Sequence, residues 1–352
     1  MTPPGKRYRI GPGQLAAFAS ALIADGYVVI AESPDGKGFT ALKDGSAVAP
    51  DTERPPTALS MKDIVFPRAE PVFLYRKTLD DVQVIDPPSP PRGVVTFGVR
   101  PCDAASIQTL SKVFDWDYHD ELFDTRAERT IVIGTLCRFT DDRCFCTSVG
   151  LSPSSTKGSD LFLLPLDDGG WILQIVTDKG SRFVARCLSA FSETDETGED
   201  LVKRYPGPAV RFDPDRIRSW IPANFDHPLW PSLAETCLGC GQCAFACPVC
   251  HCFDLIDEAD SFQHGRRMKI WDACQFPLFT KHASGHNPRD TQVKRYRQRV
   301  SHKFFIYPER FGEILCTGCG RCSRGCGVGI DIAEIVEQIE KTAVAESVAR
   351  ER

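Results

Sequence analysis

Apolar positions in the first half of the chain alternate between two rhythms. Leu15, Phe18 and Leu22 recur at helical spacing between Pro12 and Ala24, Gly26 closes the pattern, and the β-branched run Tyr27-Val28-Val29-Ile30 follows, predicting a helix and then a strand. Residues 44–70, punctuated by Pro50, Pro55, Pro56 and Pro67, and the stretch Asp86-Pro-Pro-Ser-Pro-Pro-Arg92 read as loop, because proline breaks ladders and helices alike. The apolar runs Val94 to Gly98 and Thr130 to Gly134 flank a helical segment from Asp103 to Phe114, which predicts a βαβ unit with parallel strands. Leu161 to Leu164 and Trp171 to Val176, joined by Asp167-Asp168-Gly169-Gly170, predict a hairpin. Ser181 to Phe191 reads as a helix in which Cys187 is a small core residue.

The polar stretch 192–200 and the irregular segment 205–231 divide the chain. The expected organisation is a mixed α/β (α+β) domain over residues 1–230 and a second domain over 231–352. In the latter, Asp331 as N-cap, Glu334 at N3 and Ile330 facing Ile335 predict a helix through Ala343 that frays over residues 346–352. Another helix is expected to begin near Cys247-Pro248 and to carry Cys250 and Cys252.

Composition narrows the chemistry. A chain of 352 residues with 42% hydrophobic content can bury two or three cores, and a formal net charge of -5 gives no basic field for nucleic acid or an anionic membrane. No run of about 18 apolar residues could span a bilayer, and the opening Met1-Thr-Pro-Pro-Gly-Lys-Arg-Tyr8 lacks the apolar centre of a secretory signal. The cytoplasm is the expected location. Sixteen cysteines change the picture most. Twelve of them fall in three tight groups, which in a long chain without an export signal points to metal ligation rather than disulfides.

Two of the groups are regular. Cys237-x2-Cys240-x2-Cys243-x3-Cys247-Pro248 and Cys316-x2-Cys319-x2-Cys322-x3-Cys326 carry the spacing of a two-cluster bacterial ferredoxin, where the fourth cysteine of each run ligates the other run's cluster. Crosswise ligation assigns Cys237, Cys240, Cys243 and Cys326 to one 4Fe-4S cluster and Cys316, Cys319, Cys322 and Cys247 to the second. Gly327 follows Cys326 where the pattern has proline. Residues 231–352 are thus expected to form an α-helical, ferredoxin-like two-cluster domain with an insertion over 253–315. The insertion holds Cys274, whose role is unassigned, and the basic run Lys294-Arg295-Tyr296-Arg297-Gln298-Arg299. That run reads as a docking surface for an acidic partner, as positive charge beside a cluster, or as a solvated helix face.

The third group is irregular. Cys102 follows the first βαβ strand and Cys137 the second, and parallel strands end at the same sheet edge. Cys144-Phe145-Cys146 adds two thiols from the same loop. The x34, x6, x1 spacing matches no standard pattern, so a 4Fe-4S cluster, a structural zinc and unliganded thiols all stand as readings.

Phe97-Gly-Val-Arg-Pro-Cys-Asp103, Cys144-Phe-Cys-Thr-Ser-Val-Gly150, Cys247-Pro-Val-Cys-His-Cys-Phe-Asp254, Trp271-Asp-Ala-Cys274 and the Cys316 run together carry a resemblance. They are similar to 4Fe-4S dicluster subunits related to the beta subunit of soluble nickel-iron sulfhydrogenases and to the corresponding iron-sulfur subunit of anaerobic sulfite reductases. The resemblance implies a relay of electrons between a flavin- and NAD(P)-binding subunit and a separate catalytic subunit, and a third cluster on Cys102, Cys137, Cys144 and Cys146. No dinucleotide fingerprint, phosphate loop, nucleophile elbow or HExxH site occurs, so the chain is not expected to be catalytic alone. The rival readings are a flavin-dependent subunit of the coenzyme F420 reductase kind and a structural or regulatory iron-sulfur module.

Overall fold

The computed structural model describes residues 4–48, 50–88, 93–185 and 191–350, and two sheets organise them. Their strands are β1 (Arg7–Ile10), β2 (Val28–Glu32), β3 (Phe39–Ala41), β4 (Ala69–Lys77), β5 (Val82–Ile85), β6 (Val94–Val99), β7 (Thr130–Thr135), β8 (Leu161–Pro165), β9 (Trp171–Ile175), β10 (Ser192–Glu193), β11 (Phe253–Ala259) and β12 (His264–Trp271). The larger sheet has the order β10-β1-β9-β8-β7-β6-β2-β3. Its centre is parallel, from β2 through β6 and β7 to β8, while the flanking pairs are antiparallel.

The central strands are apolar on both faces because both faces are covered. Val95, Phe97, Ile131, Ile133, Leu161 and Leu163 pack with Leu15, Phe18 and Leu22 of the helix Gln14–Ala24. On the other face Phe162, Leu164 and Ile172 pack with Leu136 and Leu201, and Val132 packs with Val99, Ala104 and Met61. The anticipated βαβ unit is present: β6, the helix Pro101–Phe114, and β7, with β6 and β7 as parallel neighbours. The β8–β9 hairpin also forms as expected. The helix expected from Ser181 to Phe191 begins earlier, as Asp178–Val184, while residues 186–190, with Cys187, and residues 89–92 lie outside the described residues.

The smaller sheet, β11-β12-β4-β5, is antiparallel throughout. It joins β4, from the N-terminal part, to β12, from the stretch between the cysteine runs, pairing Ile270 with Ala69 and Arg266 with Leu74. Neither β4 nor β11 was anticipated. No helix follows Cys247: the chain makes a turn at Pro248 and Val249 and enters β11, so Cys250 and Cys252 lie before a strand. The pairing with β12 and, through it, with β4 satisfies backbone groups that a helix would otherwise have paired locally.

Further on, the helix Gln292–Ser301, capped by Thr291, runs into a π-helical turn, His302–Ile306, and the helix Tyr307–Phe311. The final helix, Ile332–Arg350, starts where Asp331 accepts from the Ala333 amide, as its cap signature predicted, but does not fray at 346.

Candidate metal centres

Each of the three sequence-defined thiol groups converges on a cavity. Cys237, Cys240, Cys243 and Cys326 line one, together with Cys322. Cys247, Cys316, Cys319 and Cys322 line a second. Cys102, Cys137, Cys144 and Cys146 line a third, together with Cys319. Cys322 therefore belongs to the walls of the first two cavities and Cys319 to the walls of the last two, so the three lie in sequence.

Local structure explains the convergence. The short helices Gln242–Phe245 and Arg321–Arg324 each start from a left-handed glycine, Gly241 and Gly320, which lets each run curl back on itself. Cys102 sits in the first turn of the helix after β6, Cys137 follows β7, and their parallel register brings them to one edge. The loop bearing Cys144 and Cys146 lies backbone to backbone on the second run. The Phe145 amide donates to the Gly318 carbonyl at 2.9 Å, and a Cβ on Gly318 would fall 2.4 Å from the Cys146 nitrogen.

Spacing separates the metal readings. Sulfurs on one tetrahedral zinc lie about 3.8 Å apart, given Zn–S bonds of about 2.3 Å. Among the described residues, the only trio of ligand atoms all within 4.8 Å of one another is Asp115, His119 and Asp124, at the exposed end of a helix. No three thiols among them approach that closely. A cubane places its four thiolates on four different irons and so requires no such close trio.

Charge and hydrogen bonding favour the same group. Lys303 Nζ donates to Cys247 Sγ at 3.4 Å, Gln292 Nε2 to Cys237 Sγ at 3.2 Å, Arg324 Nη2 to Cys144 Sγ at 3.1 Å and Arg100 Nη1 to Cys137 Sγ at 3.6 Å. Arg299 and Tyr296 line the first cavity, and Arg299 Nη1 and Tyr296 Oη are buried without a hydrogen-bond partner. Sulfide and thiolate sulfurs would accept such donors. Burial opposes the charge of Lys303, yet Cys247 and Cys250 outweigh it and hold the ammonium above its usual range. Burial likewise pushes the Cys144 and Cys316 thiols up to about 11 and the Cys146 and Cys322 thiols to about 12. Near neutral pH thiols in that state stay protonated until a metal takes the place of the proton.

The donors around the sulfurs are the functional residues that motif spacing overlooked. One signal was available: Arg295, Arg299 and Lys303 recur at intervals of four, and all three are buried. The basic run is thus two-sided, with Lys294 half-buried and paired with Asp290 and Arg299 buried and facing cysteines. Outside the three groups, Cys250 is buried in the same cluster as Cys247, and the pairing of β11 with β12 brings the chain at Cys252 near the chain at Cys274.

The 4Fe-4S dicluster domain matches residues 236–330. The chain is 32% identical over 254 residues to sulfhydrogenase 2 subunit beta of Pyrococcus furiosus, covering 70% of this chain and 74% of that subunit. No solved structure matches. A dicluster domain carries two 4Fe-4S clusters, and the matched residues span both cysteine runs.

Proposed function

The chain belongs to the family of sulfhydrogenase beta subunits, and from that premise we propose that it relays single electrons between a flavin- and NAD(P)-binding subunit and a separate catalytic subunit of a cytoplasmic oxidoreductase complex of the hydrogenase or sulfite-reductase type. That it is an iron-sulfur electron-transfer subunit follows from the family and the dicluster domain. No helix among the described residues is long and apolar enough to cross a membrane.

The observation that carries the relay reading is the serial arrangement of the three cavities through Cys322 and Cys319. In this reading Cys237, Cys240, Cys243 and Cys326 hold one cluster, Cys316, Cys319, Cys322 and Cys247 the next, and Cys102, Cys137, Cys144 and Cys146 a third. Clusters bound there supply one-electron transfer without a substrate pocket. The chain's own residues fix the sulfurs, exclude water and set the field: Lys303 and Arg299 place positive charge at the middle of the series, and Arg100 and Arg324 do so at its N-terminal end.

Anaerobic iron and sulfide analysis tests the number of clusters. Three predict about twelve irons per chain on the 4Fe-4S model. The double substitution Cys144→Ser, Cys146→Ser is expected to remove about four of them and leave the ferredoxin pair. An unchanged iron content in that variant would remove the third cluster from the proposal. Mass spectrometry of the gently purified complex identifies the partners, and recovery of the chain with neither a flavoprotein nor a catalytic subunit would defeat the relay reading.

A further inference from the structure

A further cavity, of about 420 Å³, lies at the open end of the β11–β12 hairpin. The terminal pair Phe253 with Trp271, and the Asp272 amide donating to the Cys252 carbonyl at 3.0 Å, bring the two ends of the hairpin together. The stretch from Phe276 to Lys281 supplies the rest of the wall. Phe253, Phe276 and Phe279 make the cavity apolar, and Asp254 and Asp272 line it as well.

These two carboxylates lack a cation. Each accepts from the amide of the residue that follows it, Leu255 at 2.8 Å and Ala273 at 2.6 Å, and among the described residues neither meets a lysine, arginine or histidine at ion-pair distance. Lys281 lines the cavity but pairs with neither. Burial and the charge of Asp254 both push the Asp272 carboxyl above its ordinary range, so the two acids stand close and uncompensated. Acids farther along the same hairpin are matched: Asp257 pairs with Arg267 at 2.7 Å and Glu258 with Arg266 at 3.0 Å. Around the cavity the surface stays apolar. Phe253 is 38% exposed, Leu255, on the same face of β11, is 50% exposed, and Leu278 is 70% exposed. A small cation filling the cavity would leave Leu255 in water, whereas an apolar protein surface with a basic side chain at its centre covers these residues and neutralises the acids at once. A guanidinium suits the place, since it lies flat on aromatic rings and bonds carboxylates in pairs.

We propose that this surface docks a partner subunit of the relay, whose arginine or lysine enters between Asp254 and Asp272 while apolar residues beside it cover Phe253, Leu255 and Leu278. Position supports that use. Phe276 packs on Gly241, where a Cβ would fall 2.7 Å from its ring, and Gly241 lies between Cys240 and Cys243 in the wall of the first cavity. That cavity is one end of the series, and Cys240 is its exposed cysteine. A subunit seated here has access to an end of the relay and not to its middle. That a partner exists rests on the relay reading; the face it meets and the charge it carries are what the cavity adds.

The test uses the full chain in its gently purified complex, with iron content and circular dichroism as controls. The double variant Asp254→Asn, Asp272→Asn keeps the oxygen acceptors for the Leu255 and Ala273 amides and removes the charge. With iron unchanged, the dissociation constant of one partner subunit, followed by native mass spectrometry on dilution, is expected to rise about tenfold or more. The salt sensitivity of that association should diminish in the variant. Leu278→Ser, at a side chain already in solvent, should weaken the same subunit and spare the other, and it serves if the double variant does not fold. In wild-type protein, hydrogen exchange should show the amides of residues 253–255 and 278–281 better protected in the complex than in the chain alone. A complex of unchanged affinity in both variants, or equal protection with and without the partner, overturns the inference and leaves the relay reading standing. A chain that carries no partner overturns both. A small cationic molecule retained by the isolated chain and lost from the double variant overturns the inference alone, because the cavity is then its site.

Discussion

The N-terminal thiol group and the ferredoxin pair differ in how their buried cations are balanced. Around the N-terminal group every neighbouring arginine has a carboxylate: Arg100 pairs with Glu32 at 3.0 Å, Arg321 with Asp103 at 2.6 Å, and Arg324 with Asp141 at 2.7 Å. Around the ferredoxin pair, Arg299 and Lys303 are 4% and 3% exposed and their opposing charges are cysteine sulfurs. The first region is electrically complete as protein. The second is complete only when its sulfurs carry the charge of bound clusters, so protein and metal there form one folding unit.

Removing iron should break the two regions apart in stability. Anaerobic chelation removes the cluster charge that faces Arg299 and Lys303, leaves the cysteine sulfurs alone to oppose them, and is expected to cost the packing around residues 292–306 up to about 3–5 kcal/mol, the range for a buried ion pair that has lost one partner. Hydrogen exchange checks this: amides of 292–306 should lose protection while those of β6 and β7 keep it, and equal loss in both would cancel the contrast.

Asp103→Asn converts the complete region into the incomplete kind. Arg321 Nη2 and Asp103 are both fully buried, and Arg321 also donates to the Thr57 carbonyl, so the neutral amide leaves a buried guanidinium partly unpaired. A loss of up to about 3–5 kcal/mol in urea unfolding is expected, and a value under about 1 kcal/mol would show that the carboxylate is not what balances Arg321.

Lys303→Met should act on potential. Without the Nζ donor to Cys247, the reduced, more negative state of the cluster held by the second run loses support. Its potential should fall, on the order of 60 mV for a tenfold effect on a one-electron couple, in a redox titration followed by paramagnetic resonance. A rise, or no change with full iron content, would mean that Lys303 serves packing alone.

The smallest difference between the regions is expected in pH dependence. Burial holds thiols of both groups at about 11 to 12, so in iron-free protein the protonated form dominates below that range and the thiolate fraction grows as pH rises. Iron uptake during reconstitution should therefore accelerate between pH 7 and pH 9 in both regions. Uptake that slows over this interval would contradict the burial argument.

Much of this was legible in residue order. The two cysteine runs, the β8–β9 hairpin and the Asp331 cap depend on near neighbours, and the βαβ unit shows as two apolar runs flanking one helix, although its register does not. The small sheet was not legible, because β4 and β12 pair residues nearly two hundred positions apart and each is short of partners on its own. For the same reason the basic run concealed a buried face: periodicity marked Arg295, Arg299 and Lys303 as one side of a helix, but not that the side faces sulfur.

Sequence by itself determined the chemistry, since a run of cysteines at two- and three-residue intervals wraps its own backbone around a site wherever the rest of the chain goes. Tertiary structure decided what the sites are next to. Only the parallel register of β6 and β7 gathers Cys102, Cys137, Cys144 and Cys146, only the bare backbone of Gly318 lets that loop lie on the second run, and only the closed mouth of β11 and β12 brings Cys252 to Cys274. Contacts of that kind are set by strand pairing and close backbone approach, which spacing along the chain does not encode.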